Sequence, residues 1–202
     1  MTNRESRPRN AGMTFTVNQP RNLIMRYSSI VFAGAFSLAA AGAFAQTAAP
    51  AGGPTDAQIA HIVVTANQVD IDAGKLAQSK ASGKAVKAFG KQMVTDHSGV
   101  NKQAVALVKK LKVTPEDNPT SQSLKAGGAE NVKTLKGLKG AAFDKAYVDN
   151  EVSYHEAVIG VVTNTLIPNT KNAELKSLLE SAGPIFTSHL EHAKHLQESL
   201  NK

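Results

Sequence analysis

Cysteine is absent from all 202 residues, and so is tryptophan. Without a thiol there can be no disulfide framework, no thiolate metal site, no cysteine nucleophile and no lipid-modified cysteine. Only 5% of the residues are aromatic. Ala, Lys, Val and Leu dominate instead, which favours helices packed through small and aliphatic side chains and argues against a β-sandwich. Several catalytic signatures are also missing: there is no G-x-S-x-G elbow, Walker loop, H-E-x-x-H pair or dinucleotide fingerprint. No catalysis is expected, and no cofactor is required by any motif.

Arginine is missing from most of the chain. All five arginines, at positions 4, 7, 9, 21 and 26, precede residue 27, with Glu5 as the only acid among them. The formal charge of +7 therefore falls to +3 for the rest of the chain, where 18 lysines face 15 acids. Scattered lysines without arginine offer no bidentate contacts to phosphates or bases, so no nucleic-acid partner is expected. A lysine-rich face could still meet an acidic component of the cell envelope.

The arginines flank a leader. Arg21 and Arg26 precede the uncharged run Tyr27 to Phe44, and Ala43-Phe44-Ala45 supplies small residues at a cleavage position, so residues 1–45 read as a signal peptide cut before Gln46. The alternative is an uncleaved anchor, because about 18 residues can just span a bilayer. Met1, Met13 or Met25 could each be the start. Paired arginines are lacking, so the general secretory route is expected, to the periplasm or the outer membrane, with no transmembrane segment after cleavage. Residues 46–54 (QTAAPAGGP) form a flexible linker, and residues 55–201 form the folded domain.

Within that domain the pattern is helical throughout. Thr55 and Gln58 form a capping box that starts a helix with Ile59, Val63, Ala66, Asp70, Ala73 and Ala77 on one face. Ala81-Ser82-Gly83 ends it. Lys84 to Leu111 makes a second helix whose stripe, Val86, Phe89, Met93, His97, Val100, Ala104, Leu107 and Leu111, is interrupted only by His97. Two prolines in 113–120 force a break. A short extra helix, broken at Gly127-Gly128, is expected over 121–136 as a connecting arm and not a core element. A third long helix runs from about Ala141 to Ile167 and stops at Pro168. The fourth, from about Asn172 to Leu200, carries Leu175, Leu178, Ala182, Ile185, His189, His192 and Leu196, with a kink expected at Pro184. The fold class is all-α: an antiparallel four-helix bundle with one short additional helix.

Such a bundle brings Asp70, His97, His155 and His189 to a similar height, one from each long helix. Glu151 lies one turn before His155, and His192 lies three residues after His189. Imidazoles and carboxylates meeting in a bundle core can hold zinc, copper or iron. The repeated Glu-x-x-His of di-iron bundles is absent, so a mononuclear ion is the form that fits. The competing reading is that His97, His155 and His189 are structural, each imidazole hydrogen-bonded inside the core. His61 and His195 fall off the stripes and are expected at the surface.

Three stretches carry a likeness. Gly74 to Asn101, Gly140 to Val158 and Leu175 to Leu196 resemble the bacterial family of domains of unknown function numbered 4142. The shared pattern falls on Asp96, His97, Phe143, Asp144, Tyr147, His155, His189 and Leu190, with Asp70 at a position that is often acidic. The resemblance implies an exported, ferritin-like protein, of the kind often described as outer-membrane proteins. It implies no activity. On these grounds the chain is expected to be a non-enzymatic envelope protein with central structural histidines, or else a periplasmic metal-binding protein using the His and carboxylate cluster.

Overall fold

The computed structural model describes residues 52–202. The leader and most of the linker lie outside these residues. Five helices fill the described part: α1 (Asp56–Lys80), α2 (Lys84–Leu111), α3 (Pro119–Gly137), α4 (Gly140–Val161) and α5 (Ala173–Leu200). They form a helical bundle, with no strand among the described residues, and none of the helices there is long and apolar enough to cross a membrane.

Local chemistry sets the helix boundaries. Thr55 and Gln58 make the expected capping box at α1. Asn118 and Ser121 make another at α3, with Pro119 in the first turn, where its missing N–H costs nothing. Asn172 caps α5 by accepting from the N–H groups of Glu174 and Leu175. The turn between α1 and α2 has no cap of its own. Asp144 supplies it from α4, its carboxylate accepting from Ser82 N at 2.9 Å, Ser82 Oγ at 2.6 Å and Gly83 N at 2.7 Å.

α1 and α2 meet along glycine. A Cβ on Gly90 would sit 2.7 Å from Ala77 Cβ and 2.9 Å from the Gly74 carbonyl oxygen, and one on Gly74 would sit 2.8 Å from the Gly90 carbonyl oxygen. Real Cβ atoms do not approach that closely, so the two backbones pack against each other only because both side chains are missing. Gly90→Ala should therefore destabilise the fold by about 1–3 kcal/mol through overpacking, although alanine favours an isolated helix over glycine. Urea unfolding of the variant measures this, and a gain in stability would contradict the close approach.

Three of the expected features are corrected. α3 runs unbroken through Gly127-Gly128 and is not a mere arm: Leu135 is fully buried in the main apolar cluster. Gly128 is there because a Cβ would lie 2.7 Å from Val69 Cγ2 of α1. The third long helix ends at Asn169, one residue past Pro168, but its last turns are not the regular α-helix expected. It passes through a π-helical turn at Val162–Leu166 and a short α-helical end at Ile167–Asn169; the wider turn accommodates a proline that cannot donate to the carbonyl four residues back. On α5 the buried face is Leu175, Leu179, Ala182, Phe186, His189, Leu190, Ala193 and Leu196, so Phe186 takes the place expected for Ile185, which is 39% exposed. α5 is continuous past Pro184.

The apolar interior is divided. One cluster contains Ala73, Phe89, Met93, Tyr147, Val148 and Ala193; others contain Ile59, Ile62, Val63, Ala104, Val162, Leu166, Leu175 and Leu179, and Val100, Ala182 and Phe186. On α1, α2 and α5 the buried polar residues Asn67, Asp70, His97 and His189 lie in the sequence interval between these clusters, and on α4 Glu151 and His155 lie at the edge of the first, on either side of Val152. A polar waist therefore crosses the bundle.

Candidate metal centre

The waist consists of Asn67 and Asp70 from α1, His97 from α2, Glu151 and His155 from α4, and His189 from α5, all at most 3% exposed. Each arrives there because its helix face points inward on both sides of it. The three rings are mutual neighbours: centroids are 5.6 Å apart for His97 and His155, 5.1 Å for His97 and His189, and 5.5 Å for His155 and His189. The Phe186 ring stacks on His97 at 5.3 Å.

The hydrogen bonds decide which nitrogen of each ring carries the proton. His97 Nδ1 lies 2.7 Å from Asn67 Oδ1, and the Asn67 amide is oriented by donating Nδ2–H to the Val63 carbonyl. An amide oxygen only accepts, so His97 Nδ1 is the donor. His155 Nδ1 donates to the Glu151 carbonyl at 3.0 Å, and His189 Nε2 donates to Asp96 Oδ2 at 2.9 Å. In all three neutral rings the other nitrogen bears a lone pair. Those nitrogens, His97 Nε2, His155 Nε2 and His189 Nδ1, are buried and have no hydrogen-bond partner. One nitrogen from each ring lies within 4.8 Å of those of the other two.

Asp70, Glu151 and His155 form an adjoining group, again with ligand atoms within 4.8 Å of one another. Glu151 Oε2 approaches His155 Nδ1 to 3.5 Å, and Asp70 Oδ2 approaches His97 Nδ1 to 3.5 Å. Glu151 Oε2 and the Tyr147 hydroxyl lack partners of good geometry.

Burial controls the charges. It lowers the His97 imidazole to about 2, with His155 and His189 adding repulsion, and lowers His155 to about 4. His189 is also lowered, chiefly by burial, although Asp96 pulls it back. Burial raises Glu151 to about 8 and holds Asp70 well above the usual carboxylate range, the neighbouring Glu151 adding to the effect. At neutral pH the imidazoles are uncharged and Glu151 is largely protonated.

These shifts predict a stability profile. The unfolded imidazoles take up protons below about 6.5 while the folded ones do not, so their contribution is complete above 6.5 and is lost as pH falls towards 4 and 2. The raised acids act in the opposite sense: the Glu151 contribution is complete below 4.5 and is lost as pH rises through 8. Metal-free protein should therefore be most stable near pH 6 and weaken on both sides, as read from urea midpoints across pH. A midpoint that rises steadily from pH 6 to 9 would contradict the buried acids.

The structure brings together all five residues expected at the site, His97, His155, His189, Asp70 and Glu151. It separates others. Asp96 pairs with His189 on a different helix and not with its neighbour His97. His192 is turned away: it is exposed, meets Gln92 and rests edge-on against Phe89. His195 is exposed as expected, whereas His61 is only partly exposed and lies 3.6 Å from Asp117. Asn67 escaped sequence reasoning. It sits one residue off the apolar stripe, and only its position opposite His97 gives it a role.

The protein is thus an all-helical bundle with a buried group of three histidines and two carboxyl residues at its waist. Residues 41–196 match the family model described as Domain of unknown function (DUF4142), and the chain belongs to that family. No curated protein and no solved structure matches it.

Proposed function

We propose that the protein is an exported, metal-binding helical bundle in which His97, His155 and His189 hold one transition-metal ion, helped by Asp70 or Glu151 of the adjoining acid group. The observation that carries this reading is three mutually neighbouring buried imidazoles, one nitrogen of each within 4.8 Å of those of the others, every ring keeping one unpartnered lone-pair nitrogen. Neutral imidazoles are the form that binds zinc, copper or iron. In each ring the second nitrogen is anchored to an oxygen, the arrangement that orients metal-binding histidines. To share an ion at about 2.0–2.1 Å the nitrogens must close to about 3.4 Å of one another.

The remainder of the reading rests on the sequence. The leader supports export to the periplasm or an envelope-associated site, and the four long helices support a ferritin-like antiparallel arrangement in which α3 is the additional helix. The role is binding without catalysis. The competing reading, structural histidines only, draws on the same anchored nitrogens, but it leaves three buried lone pairs without a partner.

The deciding experiment is metal content after native purification from the original compartment, with His97→Ala and His155→Ala as controls. One equivalent in the parent and none in either variant supports the site. Equal content in all three would end the metal reading.

A further inference from the structure

Beside the histidines lies a cavity of about 120 Å³. All five helices contribute to its walls, through Ile62, Val100, Leu124, Val158, Leu179 and Ala182 among others. Asn67, Asp70, His97, Thr120 and Tyr154 also border it, yet almost no nitrogen or oxygen reaches its surface, so these side chains meet the space through carbon. Their polar atoms are engaged elsewhere. Asn67 donates to the Val63 carbonyl and accepts from His97 Nδ1, and the Tyr154 hydroxyl donates to the Ala66 carbonyl at 3.1 Å. Asp70 is paired with Glu151 in the buried acid group. The His97 ring and the Phe186 ring stacked on it at 5.3 Å both belong to the wall.

We infer that this cavity binds a small apolar molecule without any hydrogen-bonding group, no larger than one six-membered ring: a hydrocarbon or an uncharged gas. Water is a poor occupant, because it needs about two to four polar partners and the walls offer almost none. Volume sets the size, since an apolar protein cavity of about 150 Å³ stays dry and takes up benzene or xenon. The same walls reject a charged group, and a hydroxyl would lose its hydration without gaining a bond. A molecule held there lies against the His97 ring, which makes occupancy visible at the waist of the bundle. No ion enters the inference, which stands apart from the metal reading.

Xenon, benzene and phenol are the probes, each titrated into metal-free mature protein and followed by NMR shifts of the lining methyl groups and of the His97 ring. Xenon and benzene should shift both saturably. Phenol has nearly the shape of benzene but carries a hydroxyl, and should bind about tenfold more weakly. Ala182→Leu should weaken xenon and benzene binding about tenfold, because the added carbons fill the space. Ala66→Leu, on a half-buried wall, serves the same purpose if the first variant fails to fold. Binding of xenon and not of benzene keeps the apolar class and narrows the occupant to a gas. The inference is overturned if neither xenon nor benzene shifts the lining methyls, if phenol binds as tightly as benzene, or if the wall variants bind like the parent. Because the ion is absent throughout, these outcomes are independent of the metal measurement.

Discussion

Chelator-treated protein should take up one equivalent of cobalt or zinc, and its melting temperature should rise by about 10 °C. The size of the effect follows from linkage. A ligand present at a thousandfold over its dissociation constant stabilises the folded state by about 4 kcal/mol, and for a domain of this length each kcal/mol moves the midpoint by about 2–4 °C. Binding should be favourable because part of its cost is already borne by the fold: a buried polar atom without a partner costs about 1–3 kcal/mol, and each of the three rings holds one such nitrogen. His97→Ala and His155→Ala should each abolish uptake and the thermal shift. His155→Leu is the sharper variant. It removes an unpartnered nitrogen and gives up only a bond to a helix carbonyl, so it should bind no metal yet melt no lower than the parent in chelator. Proton counting identifies the ligands. Three neutral imidazoles release almost no protons at pH 7, whereas entry of Glu151, raised to about 8 by burial, releases about one. The dependence of binding enthalpy on buffer reads that number. An unchanged melting temperature in excess cobalt and zinc would count against the site as a whole.

Asp144→Ala should cost about 3–5 kcal/mol, a fall of roughly 10–15 °C in melting temperature, and it should do so with or without metal. Its carboxylate is 2% exposed and takes three hydrogen bonds from Ser82 and Gly83, across the turn that joins α1 to α2. Bonds to a charged acceptor are worth more than neutral ones, and removing the acceptor strands the donors it served. α2 has no side-chain cap of its own at Gly83, so nothing local replaces the loss. Asp144→Asn keeps the shape but can accept through only one oxygen, and should recover part of the stability. If Asp144→Ala unfolds at the same urea concentration as the parent, the clamp contributes nothing. The contrast between the variants separates two kinds of buried polar residue: replacing His155 by an apolar side chain should cost no stability, whereas replacing Asp144 should.

Much of this was legible in the chain. The capping box at Thr55, the break at Ala81-Ser82-Gly83 and the stripe from Val86 to Ala104 are local signals, written in residues three or four apart, and the helices follow them. The interruption of that stripe by His97 correctly marked a buried polar position. Signals failed where the decisive contact lay on another helix. Gly127-Gly128 reads as a break because glycine disfavours helix, yet Gly128 is required by Val69 of α1. Ile185 and Phe186 are adjacent and equally apolar, and only the stacking on His97 shows which one turns inward. Asp144 resembles any exposed helix acid until its distance to the α1–α2 turn is measured.

The sequence alone determined that the described part would be helical, where most helices begin, and which imidazoles and carboxyl groups would lie near the middle of their helices, because periodicity and capping act within a few residues. It could not determine that Asp96 serves His189 and not His97, that Asn67 holds the His97 proton, or that the three rings are mutual neighbours, each with one nitrogen unpartnered. Those facts depend on the rotation and register of one helix against another, which come from side-chain packing across the bundle. The tertiary structure thus turned a set of mid-helix histidines into one site with a defined protonation state.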